Sequence, residues 1–306
     1  MQFSRRLAEP AYRVITKSRL AFACLSLVVS AGCGTTPSTI DSASPVTPLE
    51  FLPALRGDYF KFASKAVGRA FHIYVSLPDS YAQNPNTYYP VVYALDGDST
   101  FPVLATQHRF LILDEGIPEA IIVGIAYGSF DPAINKRAFD FSAPAADAGP
   151  SQGGAPAFHT FLKTELIPEI ERRHRADPAH RVLIGQSRGG YMTLYSAFVD
   201  PDLFWGRIAI NPAFDPGRER FSHPAPAARE DLSLIVTSGS RDLPKLREKA
   251  IQWFAEWERR SDAPWQLHTA TIEGGTHAAD FPNSYRIGMI SLFKRVQMLN
   301  PSLEVH

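Results

Sequence analysis

Residues 181–190 restrict the fold of this chain more than any other stretch. An apolar run, Arg181-Val182-Leu183-Ile184, passes directly into Gly185-Gln186-Ser187-Arg188-Gly189-Gly190, and a helical pattern starts at once. A serine between glycines, with a buried strand before it and a helix after it, is the arrangement of a nucleophile elbow. That turn is strained, and its two arms approach so closely that the neighbours of the serine must be small, a requirement Gly185, Gly189 and Gly190 meet. The competing reading of G-x-S-x-G is a plain glycine turn. The strand and helix around it favour the elbow, and with it an α/β-hydrolase fold.

The surrounding pattern agrees. Residues 69–77 alternate apolar and polar side chains, as an antiparallel strand with one solvated face does. Residues 89–95 are instead a nearly continuous apolar run of the kind buried in a parallel sheet, and further buried runs are read at 120–125, 181–185, 207–210, 232–237 and around 268–272. Helical patterns over 157–174, 191–199, 243–259 and 285–296 separate most of them. Strands alternating with crossover helices predict a mostly parallel, mixed sheet with helices on both faces.

The first residues read differently. Arg5, Arg6, Arg13, Lys17 and Arg19 precede an apolar run over 20–29 and then Ser30-Ala31-Gly32-Cys33. This is the order of an export signal, with a run too short to span a bilayer at ~20 residues. The small residues before Cys33 are similar to a bacterial lipobox, although Ser30 stands where leucine is usual. Lipidation of Cys33 and ordinary cleavage near Ala31 are both open, and either places the protein outside the cytoplasm, in the periplasm or anchored to a membrane. Cys24 would be lost with the signal, so no internal disulfide is available. We expect an export signal over 1–33, a Thr/Ser/Pro-rich tether over 34–48 and one catalytic domain over 49–306. Lys+Arg and Asp+Glu both number 31, so no net field would concentrate a polyanion, and a small-molecule ester is a better partner than nucleic acid.

A serine hydroxyl needs a base within hydrogen-bond reach, and in this fold the partners follow in the order serine, acid, histidine. His277 lies in Glu273-Gly274-Gly275-Thr276-His277, just after the last strand pattern, whereas five other histidines precede the serine. The acid should follow the strand ending near Thr237, which points to Asp242; a helix-capping role for Asp242, and Glu248 as the carboxylate, remain alternatives. Donors for the oxyanion are expected from the backbone N–H of Arg188 and from that of Asp98, in Leu95-Asp96-Gly97-Asp98. The Asp96 and Asp98 side chains have no further carboxylate cluster or H-E-x-x-H beside them, so neither a metal nor a cofactor is expected. The long Gly/Ala/Pro-rich stretch over 128–156 reads as a pocket wall, in which Arg137 and Asp140 either meet substrate or pair with each other.

With these motifs in order, the chain resembles the putative esterase family, which includes esterase D, enterochelin-type siderophore esterases and mycolyltransferases. The likeness runs over about residues 59–296. It rests on Phe71-His72-Ile73-Tyr74-Val75-Ser76-Leu77-Pro78 before Tyr81, Tyr93-Ala94-Leu95-Asp96-Gly97-Asp98, and Arg137 with Asp140-Phe141-Ser142. It continues in Phe161-Leu162-Lys163-Thr164-Glu165-Leu166-Ile167-Pro168, the elbow, and Thr276-His277 before Phe281-Pro282. The resemblance implies a triad that hydrolyses carboxylic esters through an acyl-enzyme, nearest to the siderophore-esterase branch. Acyl transfer to another alcohol, or a non-catalytic envelope protein on the same fold, are the alternatives. Three departures stand out: Gln186 where histidine is usual, Arg188 where an apolar residue is common, and Asn211-Pro212-Ala213 in place of Ser-Pro-Ser. The first bears on support of the elbow. The second places a cation beside the expected pocket, favouring anionic esters.

Overall fold

A computed structural model describes residues 52–55, 57–144 and 153–299. The expected export signal and the whole of the expected tether lie outside these residues, as does part of the expected pocket wall.

The described residues form an eight-stranded sheet in the order β1-β2-β4-β3-β5-β6-β7-β8. Its strands are β1 (Gly57–Ser64), β2 (Arg69–Ser76), β3 (Tyr89–Ala94), β4 (Ile121–Ala126), β5 (Ala176–Gln186), β6 (Gly206–Ile210), β7 (Ser233–Arg241) and β8 (Gln266–Thr276). β1 and β2 form an antiparallel pair, β2 runs antiparallel to β4, and the remaining neighbours are parallel. The mixed, mostly parallel sheet expected from the apolar runs is therefore the one found.

The helices are α1 (Gly97–Glu115), α2 (Arg137–Asp140), α3 (Ala155–Phe161), α4 (Ile167–Arg173), α5 (Arg188–Val199), α6 (Pro244–Trp257) and α7 (Phe281–Leu299). Successive side chains on a strand point to opposite faces, and the core divides accordingly. Val92, Ala94, Ile208 and Ile210 pack with Phe101 and Leu104 of α1 and Tyr285 and Met289 of α7. Tyr93, Leu183 and Ala209 pack on the other face with Phe158 of α3, Leu194 of α5 and Trp253 of α6.

Three elements, β1, α1 and the four-residue α2, go beyond the expected set. β1 is an edge strand whose side chains alternate between exposed and half-buried, so it lacks the apolar run that marks the inner strands. α1 carries Pro102 inside it, which masks the helical pattern, yet buries Phe101, Leu104, Ala105 and Leu111 against the sheet.

The helix after the elbow is held by a buried cation. Arg207, on β6 and with no solvent exposure, donates from Nη1 to the carbonyls of Pro201 and Phe204, at 2.9 Å each, and from Nη2 to that of Asp200 at 2.7 Å. It thereby satisfies carbonyls at and just beyond the end of α5, which have no intrahelical donors. Burial lowers the guanidinium to about 9, and it still carries its proton at neutral pH. Arg207→Met keeps much of the volume but leaves several buried acceptors unpaired. At about 1–3 kcal/mol for each orphaned group, it should cost at least about 3 kcal/mol in urea unfolding. A loss under about 1 kcal/mol would mean that the carbonyls find other donors.

Candidate active site

Parallel strands end at one edge of the sheet, and in open α/β sheets that edge carries the ligand site. Asp96 and Asp98 follow β3, Ser187 follows β5, Asn211 follows β6, Asp242 follows β7 and His277 follows β8. Residues scattered over most of the domain are thus brought to a common edge.

Ser187 has φ 57° and ψ −112°, between the last residue of β5 and the first of α5. A β-carbon on Gly185 would fall 2.4 Å from the Gly189 carbonyl, and one on Gly190 would sit 3.0 Å from the Ile210 oxygen. Hydrogen bonds brace the turn from β6: the Ser187 amide donates to Ile210 O at 2.9 Å, and the Ala213 amide donates to Ser187 O at 2.9 Å. A positive φ at a non-glycine residue is costly, and these contacts hold it.

His277 Nδ1 and Asp242 Oδ1 lie 2.7 Å apart. Asp242 is 6 % exposed, and the same oxygen accepts the Leu243 amide at 2.6 Å. The bond to Nδ1 leaves Nε2 as the imidazole nitrogen free to act on a proton. Glu248 is exposed on α6, where its carboxylate accepts from Gln252. Of the two carboxylates considered from sequence, Asp242 is the one beside the imidazole.

Ser187 and His277 line one cleft of about 310 Å³ together with Asp96, Asp98, Ser99, Phe130, Asn135, Arg137, Gln186 and Ala278. No hydrogen bond joins the serine hydroxyl to the imidazole; such contacts commonly tighten only when substrate binds. Asp98 and Arg188 stand in the first turns of α1 and α5, where amides have no intrahelical acceptor and point outward as donors. The Asp98 carboxylate accepts the amides of Tyr127 and Gly128 at 2.8 Å each, fixing this loop to the end of β4.

The two expected pocket residues separate. Arg137 lines the cleft and makes a bidentate pair with Asp96, at 2.5 and 2.8 Å, while also reaching the Gln186 carbonyl at 3.4 Å. Asp140 is fully buried behind it, where its carboxylate accepts from Arg69 and from the Tyr127 hydroxyl. This corrects both expectations for Asp140: it faces neither substrate nor Arg137, because burying its charge requires partners that lie inside the fold. Burial still pushes its pKa up, against the lowering effect of Arg69 and Tyr127.

The side chain of Arg188 also differs from expectation. It donates to the Asp215 carbonyl and lies beside the Tyr191 ring, and it is not among the residues lining the cleft. Gln186, which stands where histidine is usual, donates from its side chain to the carbonyl of His277.

Sequence reasoning gave no role to Asn211 or Asp280. The Asn211 amide group donates to the carbonyls of Thr276 and His277 and to Asp280 Oδ1, and its oxygen accepts the Gly239 amide at 2.7 Å. Asp280 is 4 % exposed, and its pKa is raised by burial and by the nearby Asp242 charge, with the Asn211 bond acting in the opposite sense. The available signal was Asn211 itself, which replaces a residue too short to make these bonds.

Comparison with known proteins gives a consistent pattern. A family model described as Putative esterase matches residues 64–286. The ferri-bacillibactin esterase BesA of Bacillus subtilis is 32% identical over 49% of this chain and 56% of its own length. The apo-salmochelin esterase of Escherichia coli is 27% identical over 63% of this chain and 62% of its own length. The chain therefore spans between half and two thirds of the length of these curated relatives. Among solved structures, the BES protein from Bacillus cereus superposes with a TM-score of 0.67 at 25% identity, over 77% of this chain and 94% of the other. The enterobactin and salmochelin hydrolase IroE gives a TM-score of 0.59 at 22% identity, over 77% of this chain and 93% of its own. With these neighbours and the sheet described above, the fold is that of the α/β hydrolases expected from the elbow.

Proposed function

The chain belongs to the Putative esterase family, and from that membership we propose that it hydrolyses carboxylic esters by a two-step serine mechanism. The observation that carries the reading is a cleft lined by both a serine in a strained elbow and an imidazole whose other nitrogen is bonded to a buried carboxylate.

Ser187 Oγ attacks the ester carbonyl carbon while His277 Nε2 takes its proton. The carbonyl oxygen becomes an oxyanion, held by the backbone N–H groups of Arg188 and Asp98. Asp242 keeps the imidazole in the tautomer that leaves Nε2 unprotonated and stabilises the imidazolium once it forms. His277 then gives the proton to the departing alcohol, leaving Ser187 acylated. Water, deprotonated by the same nitrogen, attacks the acyl carbon; the bond to Ser187 Oγ then breaks, the oxygen takes the proton back from His277, and the carboxylic acid leaves. These steps need neither cofactor nor metal.

The substrate class we propose is that of siderophore-like esters, since the curated relatives named above are esterases of bacillibactin and salmochelin. The test is to label the protein with a fluorophosphonate, locate the adduct by mass spectrometry and screen aryl esters and siderophore lactones. An adduct on Ser187 with turnover of an ester is expected; labelling at another residue would overturn the assignment.

We also propose that the protein is exported, with a diacylglyceryl group on Cys33. The motivation is the basic flank, apolar run and small residues before that cysteine. The mass of the protein recovered from bacterial envelopes decides this: a mature chain beginning at an acylated Cys33 supports it, and a chain retaining residues 1–30 overturns export.

A further inference from the structure

The proposed mechanism needs an acid and an imidazole to meet, and these lie on separate turns, after β7 and after β8. Strand pairing brings these turns side by side, since after a register shift beyond Gly239 it resumes between Arg241 and Thr276, but it ends there and leaves Asp242 and His277 themselves outside the paired residues. What spans them is Asn211, from the end of a third strand. Its own amide donates to the Thr237 carbonyl at 2.9 Å, anchoring it to β7. Its side-chain oxygen accepts the Gly239 amide, and the Gly239 carbonyl in turn accepts the Asp242 amide at 3.0 Å. Its side-chain nitrogen reaches the other turn, at 3.1 Å from Thr276 O, 2.9 Å from His277 O and 2.9 Å from Asp280 Oδ1.

We infer that Asn211 is a positioning residue that sets the Asp242–His277 pair by fixing both turns from one side chain. The inference rests on the mechanism proposed above. Asn211 is 1 % exposed, has φ 42° and is not among the cleft-lining residues, so it acts through the pair and not on substrate. An amide suits the position because it accepts from one turn while donating to the other. Serine has one hydroxyl hydrogen and a shorter reach. Gln186 adds a second donor to the His277 carbonyl from β5, so the imidazole backbone is held from two strands, whereas the Asp242 turn is tied to it through Asn211. Asp280 completes the arrangement as the buried acceptor that orients the Asn211 amide group.

The test measures kcat and KM on one aryl ester for the wild type and for Ser187→Ala, Asp242→Asn, Asn211→Ala, Asn211→Asp and the double variant Asn211→Ala/Asp242→Asn. Asn211→Ala should lower kcat by about 10²-fold, the usual consequence of a displaced catalytic group, with KM little changed. In the Asp242→Asn background the same change should cost little more, because the pair it positions is already broken. A wild-type kcat in Asn211→Ala, or losses that multiply in the double variant, would overturn the inference. Asn211→Asp is nearly isosteric and keeps the test valid if the alanine variant fails to fold. Its carboxyl must hold a proton to donate to the two carbonyls, so its activity relative to wild type should fall as pH rises. A ratio independent of pH would also overturn the inference. Activity retained in Ser187→Ala would instead sink the serine mechanism itself, which keeps the two failures distinct.

Discussion

Ser187→Ala is expected to lower kcat by about 10⁴-fold or more while leaving the folded protein intact. The loss is large because the acyl-enzyme route requires an oxygen nucleophile at this position. What remains comes from binding and from the amides of Arg188 and Asp98. The fold should survive because no hydrogen bond joins the Ser187 hydroxyl to His277, and the strained backbone is braced through main-chain bonds to Ile210 and Ala213 that alanine retains. Circular dichroism and thermal melting check the fold, and fluorophosphonate labelling should disappear with the activity. A variant with near-wild-type turnover would remove Ser187 from the mechanism.

Asp242→Asn should lower kcat by about 10⁴-fold, close to the serine loss, with little change in KM. The side chain keeps its size, and its oxygen can still accept the Leu243 amide, so the turn should remain formed. That oxygen is also the one facing His277 Nδ1, so an asparagine that keeps the Leu243 bond offers the ring only a neutral oxygen, a weaker partner for the imidazolium. One that turns its NH₂ group there favours the tautomer with the proton on Nε2 and disables the base. The substitution also removes the negative charge that stabilises the imidazolium. Asp242 is almost fully buried, so little solvent stands between that charge and the ring. Glu248→Gln, on the exposed face of α6, is the matched control and should leave turnover near wild type. If Asp242→Asn is as active as wild type, the site works as a serine–histidine pair and Asp242 serves only its turn.

Most inner strands and the helices α5, α6 and α7 were legible because each announces itself locally. β3 and β4 are apolar on both faces, and α6 repeats its buried Ala250, Trp253, Phe254 and Trp257 at helical spacing. β1, exposed on one face at the sheet edge, and α1, with a proline inside it, carry weaker local signals and emerged only in the folded chain. In the site, Ser187 could be read from its glycines and His277 from its place after the last strand, because both follow from local chain geometry. The partners of charged and amide groups could not. Arg137 finds Asp96, 41 residues away, and not Asp140 three residues on; Asn211 finds the His277 carbonyl across 66 positions.

By itself, then, the sequence determined the alternation of strands and helices, the elbow and the order serine, acid, histidine, since periodicity and the need for glycine act between near neighbours. The tertiary structure alone decided which carboxylate meets the imidazole, where Arg137 and Asp140 spend their charges, and that Asn211 spans the two turns. Those outcomes depend on which strand ends lie side by side at the sheet edge, and strand order and register set that distance independently of separation along the chain.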